Sequence, residues 1–260
     1  MRYRNHHLSI GCRILSVLAL ALVLCSPVAA QNGLVAHWTL DEGQGNVAGD
    51  SSGFGHDGTL VNDPSWTLGN VGGALSLNGI DHVVVVDDSP QLAGPAELTL
   101  AAWIRHTPVN SFRAIIDKRD AAPDGYDLYV SPLGRLFMRV NREKVEGVAT
   151  VADNTWRHVA GVYDGQSIAL YVDGELDVVV AVNPTQLDTT AQLFLGRYFG
   201  GLGSSFQGQL DDVRIYDRAL VAAEVESLAG PRSGQDRVAR EFIRGGGCRQ
   251  FIAGCARQPL

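Results

Sequence analysis

Residues 156–182 read WRHVAGVYDGQSIALYVDGELDVVVAV. Three β-rich runs, Trp156–Tyr163, Ser167–Val172 and Leu176–Val182, are joined by Asp164-Gly165 and Asp173-Gly174. Asp-Gly signals a tight hairpin, because glycine accepts the positive φ that such turns demand. The stretch predicts a three-stranded antiparallel meander. Its runs are apolar at both parities: Ala160 and Val162 alternate with Val159 and Tyr163, and Val178 and Val180 with Val179 and Ala181. One face of such strands packs into a sandwich. The other needs cover from loops, or marks a concave surface partly removed from water.

The same pattern extends in both directions. Strand-like runs fall at Leu34–Leu40, Ala74–Leu77, His82–Val86, Leu98–Arg105, Arg113–Lys118, Tyr126–Val130, Leu136–Val140, Gln192–Arg197 and Leu210–Tyr216. Asn78-Gly79 between the second and third predicts another hairpin. Asp41–Gly58 is a Gly/Asp/Ser loop too long for a simple turn. Only Val221–Leu228 carries helical spacing, with Asp217 upstream as a candidate cap. Many short strands with Gly-rich turns predict an all-β antiparallel sandwich or barrel with one short C-terminal helix.

The ends differ from this body. Arg2, Arg4 and Arg13 precede an apolar run from Ile14 to Leu24, and Pro27 precedes Val28-Ala29-Ala30. This is the pattern of a secretory signal peptide over 1–30, cleaved near Ala30. A run of eleven residues rises about 17 Å as a helix, short of a ~30 Å hydrocarbon core. Lipid attachment at Cys25 is disfavoured by Leu24, which stands where a small residue is wanted. Residues 31–230 hold 12 basic against 26 acidic side chains, a net of −14, and no cysteine. That charge argues against nonspecific nucleic-acid binding, which needs clustered Lys and Arg. Residues 231–260 carry six arginines against Asp236 and Glu241 and read as a basic, mostly flexible tail. Cys248 and Cys255 within it are candidates for a disulfide in an exported protein.

Five segments follow one another in order: LVAHWTLDEGQG…DSSGFGHDGTL at 34–60, GGALSLNGIDHVVV at 72–85, LTLAAWIR at 98–105, WRHVAGVYDGQSIALYVDGEL at 156–176 and FQGQLDDVRIYDRAL at 206–220. Together they resemble the laminin G-like, concanavalin A-like domains of secreted and surface proteins, over essentially all of 33–229. The resemblance implies a two-sheet antiparallel jelly-roll sandwich. It implies binding of glycans or extracellular protein surfaces, in a family whose members often hold one structural calcium. Carried over, calcium would involve Asp41 or Asp50, a carbonyl near Gly79, and Asp211. The residues themselves agree in part. If Val213 and Ile215 face inward, alternation turns Asp211 inward with them, where its charge needs a cation or donors. The loop around Asp50 offers oxygens suited to a hard cation. Turn and cap hydrogen bonding is the other reading of these acids.

For a glycan, aromatic rings beside polar groups are the expected platform. Arg197, Tyr198 and Phe199 in a Gly-rich loop are the first candidates, and Tyr126 beside Asp124 the second. An adhesive protein-binding domain is the alternative. The same fold class hosts laminarinase-type hydrolases with three carboxylates on one strand. Here Glu175 and Asp177 are followed by Val179 and Val180, so the set is incomplete and no catalytic residue is assigned. N-terminal sequencing of secreted material should therefore show a mature chain starting at Gln31. A start at a lipid-modified Cys25 would contradict the soluble reading.

Overall fold

The computed structural model describes residues 32–120, 124–183, 185–200 and 202–230. The expected signal peptide, the basic tail and the Cys248–Cys255 pair lie outside these residues. In chain order the strands are β1 (Leu34–Trp38), β2 (Val47–Ala48), β3 (Gly58–Val61), β4 (Ser65–Leu68), β5 (Gly73–Asn78), β6 (Val83–Val86), β7 (Leu98–His106) and β8 (Arg113–Arg119). Then follow β9 (Gly125–Val130), β10 (Arg135–Val140), β11 (Glu143–Thr150), β12 (Trp156–Tyr163), β13 (Ser167–Val172), β14 (Glu175–Ala181), β15 (Leu193–Leu195), β16 (Gln207–Tyr216) and the helix α1 (Ala222–Leu228).

Two antiparallel sheets result. The first runs β14-β13-β12-β7-β16-β5-β4, with β1 also paired to β16; the second runs β11-β10-β9-β8-β15-β6-β3-β2. The predicted meander is β12-β13-β14, with Tyr163 opposite Ile168 and Val172 opposite Glu175. Trp38, Leu75, Leu100, Leu128, Met138 and Ile215 contribute to one continuous core. The sheets approach closely at Gly161, where a Cβ would lie 2.5 Å from Met138 Sδ. One end of the outer face of the first sheet is covered by α1, which places Val225 and Leu228 in a second cluster with Val162, Tyr171 and Tyr216.

The structure departs from the sequence reading at several points. Asn78-Gly79 does not close a hairpin, because β5 lies in the first sheet and β6 in the second. Instead the Asn78 side-chain oxygen accepts the amides of Ile80, Asp81 and His82, turning the chain between sheets. Asp217 does not cap α1. Val221 occupies the cap, and its amide donates to Glu224, whose carboxylate Arg218 grips with two nitrogens at 2.7 and 2.8 Å. Strands β2, β3, β4 and β11 were not legible. In β11, Glu143, Lys144, Glu146 and Gly147 have low β propensity, and the strand is stabilised by pairing with β10.

Within the second sheet, the Lys118 ammonium is fully buried and donates to Asp88 and to the Ala191 carbonyl. Burial lowers its pKa, and Asp88 opposes that shift.

β16 has an unusual pairing. β7 runs along one edge; along the other, β5 pairs with Gln207–Leu210 and β1 with Val213–Tyr216. The change of partner coincides with a bulge at Asp211-Asp212, where Asp212 takes φ 50°. Leu210 and Val213, three residues apart, both reach the core, one residue out of strict alternation. Asp211 is buried, as expected, but the parity argument for it fails: alternation is interrupted at the residue in question.

The loop after β1 is fastened by Asp50. Its carboxylate accepts the amides of His37, Ser52 and His56, each at 2.9 Å, and the Ser52 hydroxyl at 2.7 Å. Burial pushes its pKa up, but these donors outweigh it and hold the carboxyl below its usual value of 3.8. The tether is thus present above that pH and fades as pH falls through the lower folded value. Asp50→Ala should orphan three amides and cost about 3 kcal/mol. That is a drop of roughly 6–12 °C in melting temperature. An unchanged thermal melt would show that the loop is not coupled to the fold.

Candidate functional site

Two places gather polar chemistry. The first is the partner switch on β16. The β4–β5 turn folds over Asp211, and its Oδ2 accepts the amides of Asn70 and Val71 at 2.7 and 2.8 Å. Its Oδ1 is buried with no hydrogen-bond partner among the described residues. Burial pushes the Asp211 pKa up to about 6, the two amides oppose, and the charges of Asp212 and Asp41 add to the rise. Asp41 enters from the end of β1 and accepts the Gly73 amide. The packing here requires glycine: a Cβ on Gly69 would lie 2.0 Å from the Gly73 carbonyl oxygen and 2.6 Å from Asp211 Oδ2. A Cβ on Gly73 would lie 2.7 Å from the Leu40 carbonyl oxygen.

Asp41 and Asp211 are therefore brought together, and the other two expected ligands are not. The carboxylate of Asp50 is engaged by its own loop. Gly79 sits at the far end of β5 from Gly73, about 20 Å away at strand rise, with its amide on the Phe206 carbonyl. Among the described residues no three His, Cys, Asp or Glu side chains converge as a metal site. Any cation at the switch would rest on two carboxylates and main-chain oxygens. Asp212, on the other side of the bulge, is held by His37 Nε2 at 2.6 Å and Arg214 at 2.9 Å. The Ser51 hydroxyl meets His37 Nδ1 at 2.8 Å, so this chain ties the first loop to the last strand.

The second place is the outer face of the second sheet. Tyr198 and Phe199 form an edge-to-face pair, centroids 4.4 Å apart, in the loop after β15. The Arg119 guanidinium lies 5.3 Å from the Tyr198 ring and 5.9 Å from Phe199. Phe112 packs on Phe137 at 5.3 Å and on Tyr129 at 6.4 Å. Arg197 lies over Phe194. Three of the expected ligand residues, Arg197, Tyr198 and Phe199, thus share one face. Tyr126 does not join them. It points into the core, fully buried, and its hydroxyl donates to the Leu92 carbonyl. Asp124 is exposed in the turn before β9.

The residue after Tyr126 faces the other way. Asp127 stands opposite Asp117 on β8 and Arg139 on β10, and both aspartates are fully buried. Arg119 Nε lies 2.7 Å from Asp127, and Arg139 Nε lies 3.4 Å from it. Tyr129 donates to Asp117. Burial pushes Asp127 up to about 7, against the pull of Arg119 and Arg139 and with a push from Asp117. Burial raises Asp117 as well, opposed by Tyr129, Arg119 and the Phe199 amide. The direction that geometry supports is one carboxyl retaining its proton toward neutrality, with Arg119 charged between two acids. The missed signal was period two: Asp117/Arg119, Asp127/Tyr129 and Phe137/Arg139 each repeat at i, i+2.

Glu175 and Asp177 lie on the edge strand β14. Asp177 accepts the amides of Val148 and Ala149 and so joins β14 to β11 across the two sheets.

This two-sheet antiparallel sandwich, with a loop-borne aromatic rim over one sheet, has the architecture of a jelly roll. The chain belongs to the concanavalin A-like lectin/glucanases superfamily, whose laminin G-like family model matches residues 77–226. It is similar to the binding domain of Paraclostridial Mosquitocidal Protein 1, at 17% identity and TM-score 0.64, over 77% of this chain and 52% of that one. It is also similar to domain 4 of AbnA, a GH43 extracellular arabinanase from Geobacillus stearothermophilus, in complex with arabinotriose. That likeness has 22% identity and TM-score 0.59, over 75% of this chain and 98% of that one. The botulinum neurotoxin serotype G binding domain matches at 17% identity and TM-score 0.61, over 75% and 50%. The chain spans about half the length of the toxin binding domains, and at these identities the likeness is one of fold. No curated protein sequence matches the chain. No helix among the described residues is long and apolar enough to cross a membrane.

The buried acid gives a pH test. A carboxyl raised from its usual value to about 7 stabilises the fold fully below the unfolded value, and that stability is lost as pH rises through 7. Asp127→Asn removes this dependence. The melting temperature of the variant minus that of the wild type should rise between pH 5 and 8. A constant difference would show that Asp127 is ionised throughout.

Proposed function

We propose that the protein is a secreted, non-catalytic carbohydrate-binding module stabilised by calcium. The observation that carries the reading is the outer face of the second sheet, where Phe112, Tyr198 and Phe199 form an accessible aromatic rim beside the charged residues Arg139 and Arg197. Sugars present an apolar ring face to aromatics and hydroxyls to fixed polar groups. Secretion rests on the reading of 1–30, and the absence of catalysis on Asp177, whose carboxylate is engaged by two amides. The domain of the arabinanase was solved with arabinotriose, so arabino-oligosaccharides are the first probes for a glycan array. Tyr198→Ala with Phe199→Ala should weaken binding at least tenfold without changing the melting temperature greatly. Full binding by the double variant would remove this face from the reading. Purified protein should release no reducing ends from laminarin or xylan.

The calcium reading is supported by Asp211 Oδ1, a buried oxygen with no hydrogen-bond partner among the described residues, by the charge of Asp41 acting on Asp211, and by the Gly73 carbonyl in the same packed turn. Bound there, calcium would supply charge compensation and cross-link the two ends of the body. At 100 times its dissociation constant it would add about 2.7 kcal/mol, a rise of roughly 5 °C or more. EDTA should reverse the gain, and Asp211→Asn should abolish it. Asp212→Asn should lower the baseline, because it frees His37 and Arg214, yet keep the increment. Calcium-independent melting of the wild type would sink the metal assignment.

A protein-facing, adhesive role is the second reading. The edge strand β14 favours it, with Leu176, Val179 and Val180 about half exposed and an unpaired edge.

A further inference from the structure

The first sheet carries a cleft that neither the aromatic face nor the cation site uses. Its floor is one register line across five strands: Ser65, Ser76, Gln209, Arg105 and Trp156 stand opposite one another on β4, β5, β16, β7 and β12. Four inter-strand steps make this line about 19 Å long. Ser76, Arg105, Thr107, Asn154, Gln207 and Gln209 line a cleft of about 310 Å³ around its middle. That volume is within the range of small-ligand sites.

Arg105 brings a positive charge to this cleft, and it is one of five of the body's ten arginines without an ion pair among the described residues. The body carries 26 acids, and Arg119, Arg139, Arg157, Arg214 and Arg218 are each paired with one or more of them. Among the described residues no carboxylate lines the cleft. Arg105 makes no ion pair among the described residues. Its Nε donates to the Asn154 carbonyl at 3.1 Å, which fixes the plane of the guanidinium and leaves the two terminal nitrogens available. The next acid along β16, Asp211, directs its Oδ2 to the β4–β5 turn instead. Backbone crowding keeps the floor flat: a Cβ on Gly208 would lie 2.2 Å from the Arg105 carbonyl oxygen.

We infer that this cleft is a second saccharide site, selective for an acidic sugar whose carboxylate pairs with Arg105. A planar, pre-oriented guanidinium fork recognises a carboxylate through two parallel hydrogen bonds. The side-chain amides of Gln207 and Gln209 and the hydroxyl of Ser76 are placed to meet the ring hydroxyls. Trp156, at the end of the line, offers an apolar surface. The site is independent of the aromatic face, which lies on the other sheet.

The test uses titration calorimetry on the full secreted chain at low salt, with tri-galacturonate, its methyl ester and acetate as probes. The acid should bind at least tenfold more tightly than the ester and weaken as salt rises. Arg105→Gln should abolish that preference, and Arg105→Lys should lose most of it, because the charge remains and the fork does not. Gln209→Ala leaves the arginine in place and should weaken the acid severalfold, so the site stays testable if Arg105 variants fold poorly. Tyr198→Ala with Phe199→Ala should leave tri-galacturonate binding intact, which separates this site from the aromatic face. Equal affinity for acid and ester, undiminished binding in Arg105→Gln, or acetate binding as tightly as the trisaccharide would overturn the inference.

Discussion

The change of partner on β16 is the constraint on which the rest of the molecule depends. One ten-residue strand serves as the common neighbour of β7, β5 and β1. The start and the end of the domain are therefore joined in one sheet. Two strand ends meeting along one edge leave a gap in the ladder, and backbone groups in such a gap need partners. The bulge fills it with Asp211 and Asp212, which divide the work. Asp211 receives the β4–β5 turn, and Asp212 holds His37 and Arg214. Through His37 and Ser51 the same junction reaches the loop that Asp50 fastens. Strand pairing, loop order and the candidate cation site are thus consequences of one irregularity.

Much of the fold was legible because the sequence repeats its grammar. Asp-Gly turns marked the meander, and alternating apolar residues marked most of the longer strands. What was illegible depended on which sheet a strand joins. Asn78-Gly79 has the local chemistry of a hairpin, yet Asn78 uses its side chain to turn the chain from one sheet to the other. The resemblance points to Gly79 as the glycine beside Asp211, whereas the packing places Gly69 and Gly73 by Asp211 and Asp41, at the opposite end of β5. No residue-level signal separates these glycines until β5 is paired.

The candidate ligand face shows the same limit at finer scale. Arg197, Tyr198 and Phe199 were readable as an aromatic loop. Tyr126, expected as a loop aromatic beside Asp124, lies instead in the core, and its neighbour Asp127 takes the outer position. The charged residues beneath the loop were hidden because DKR, YDLY and FMR look like ordinary strand segments. Only the lateral register of β8, β9 and β10 stacks Asp117, Asp127 and Arg139 in one row. The cleft on the first sheet is a row of the same kind, built from residues 65, 76, 105, 156 and 209.

The burial of Lys118 has a practical consequence. The chain contains two lysines, and one of them is enclosed by Asp88 and the Ala191 carbonyl. Amine-directed coupling to a sensor surface, or tagging with an amine-reactive dye, is left with Lys144 on the edge strand β11 and with the chain's amino terminus. A protein anchored at Lys144 is held by one rim of the second sheet, with the outer face of the first sheet presented to solution. That orientation follows from where one ammonium group is packed.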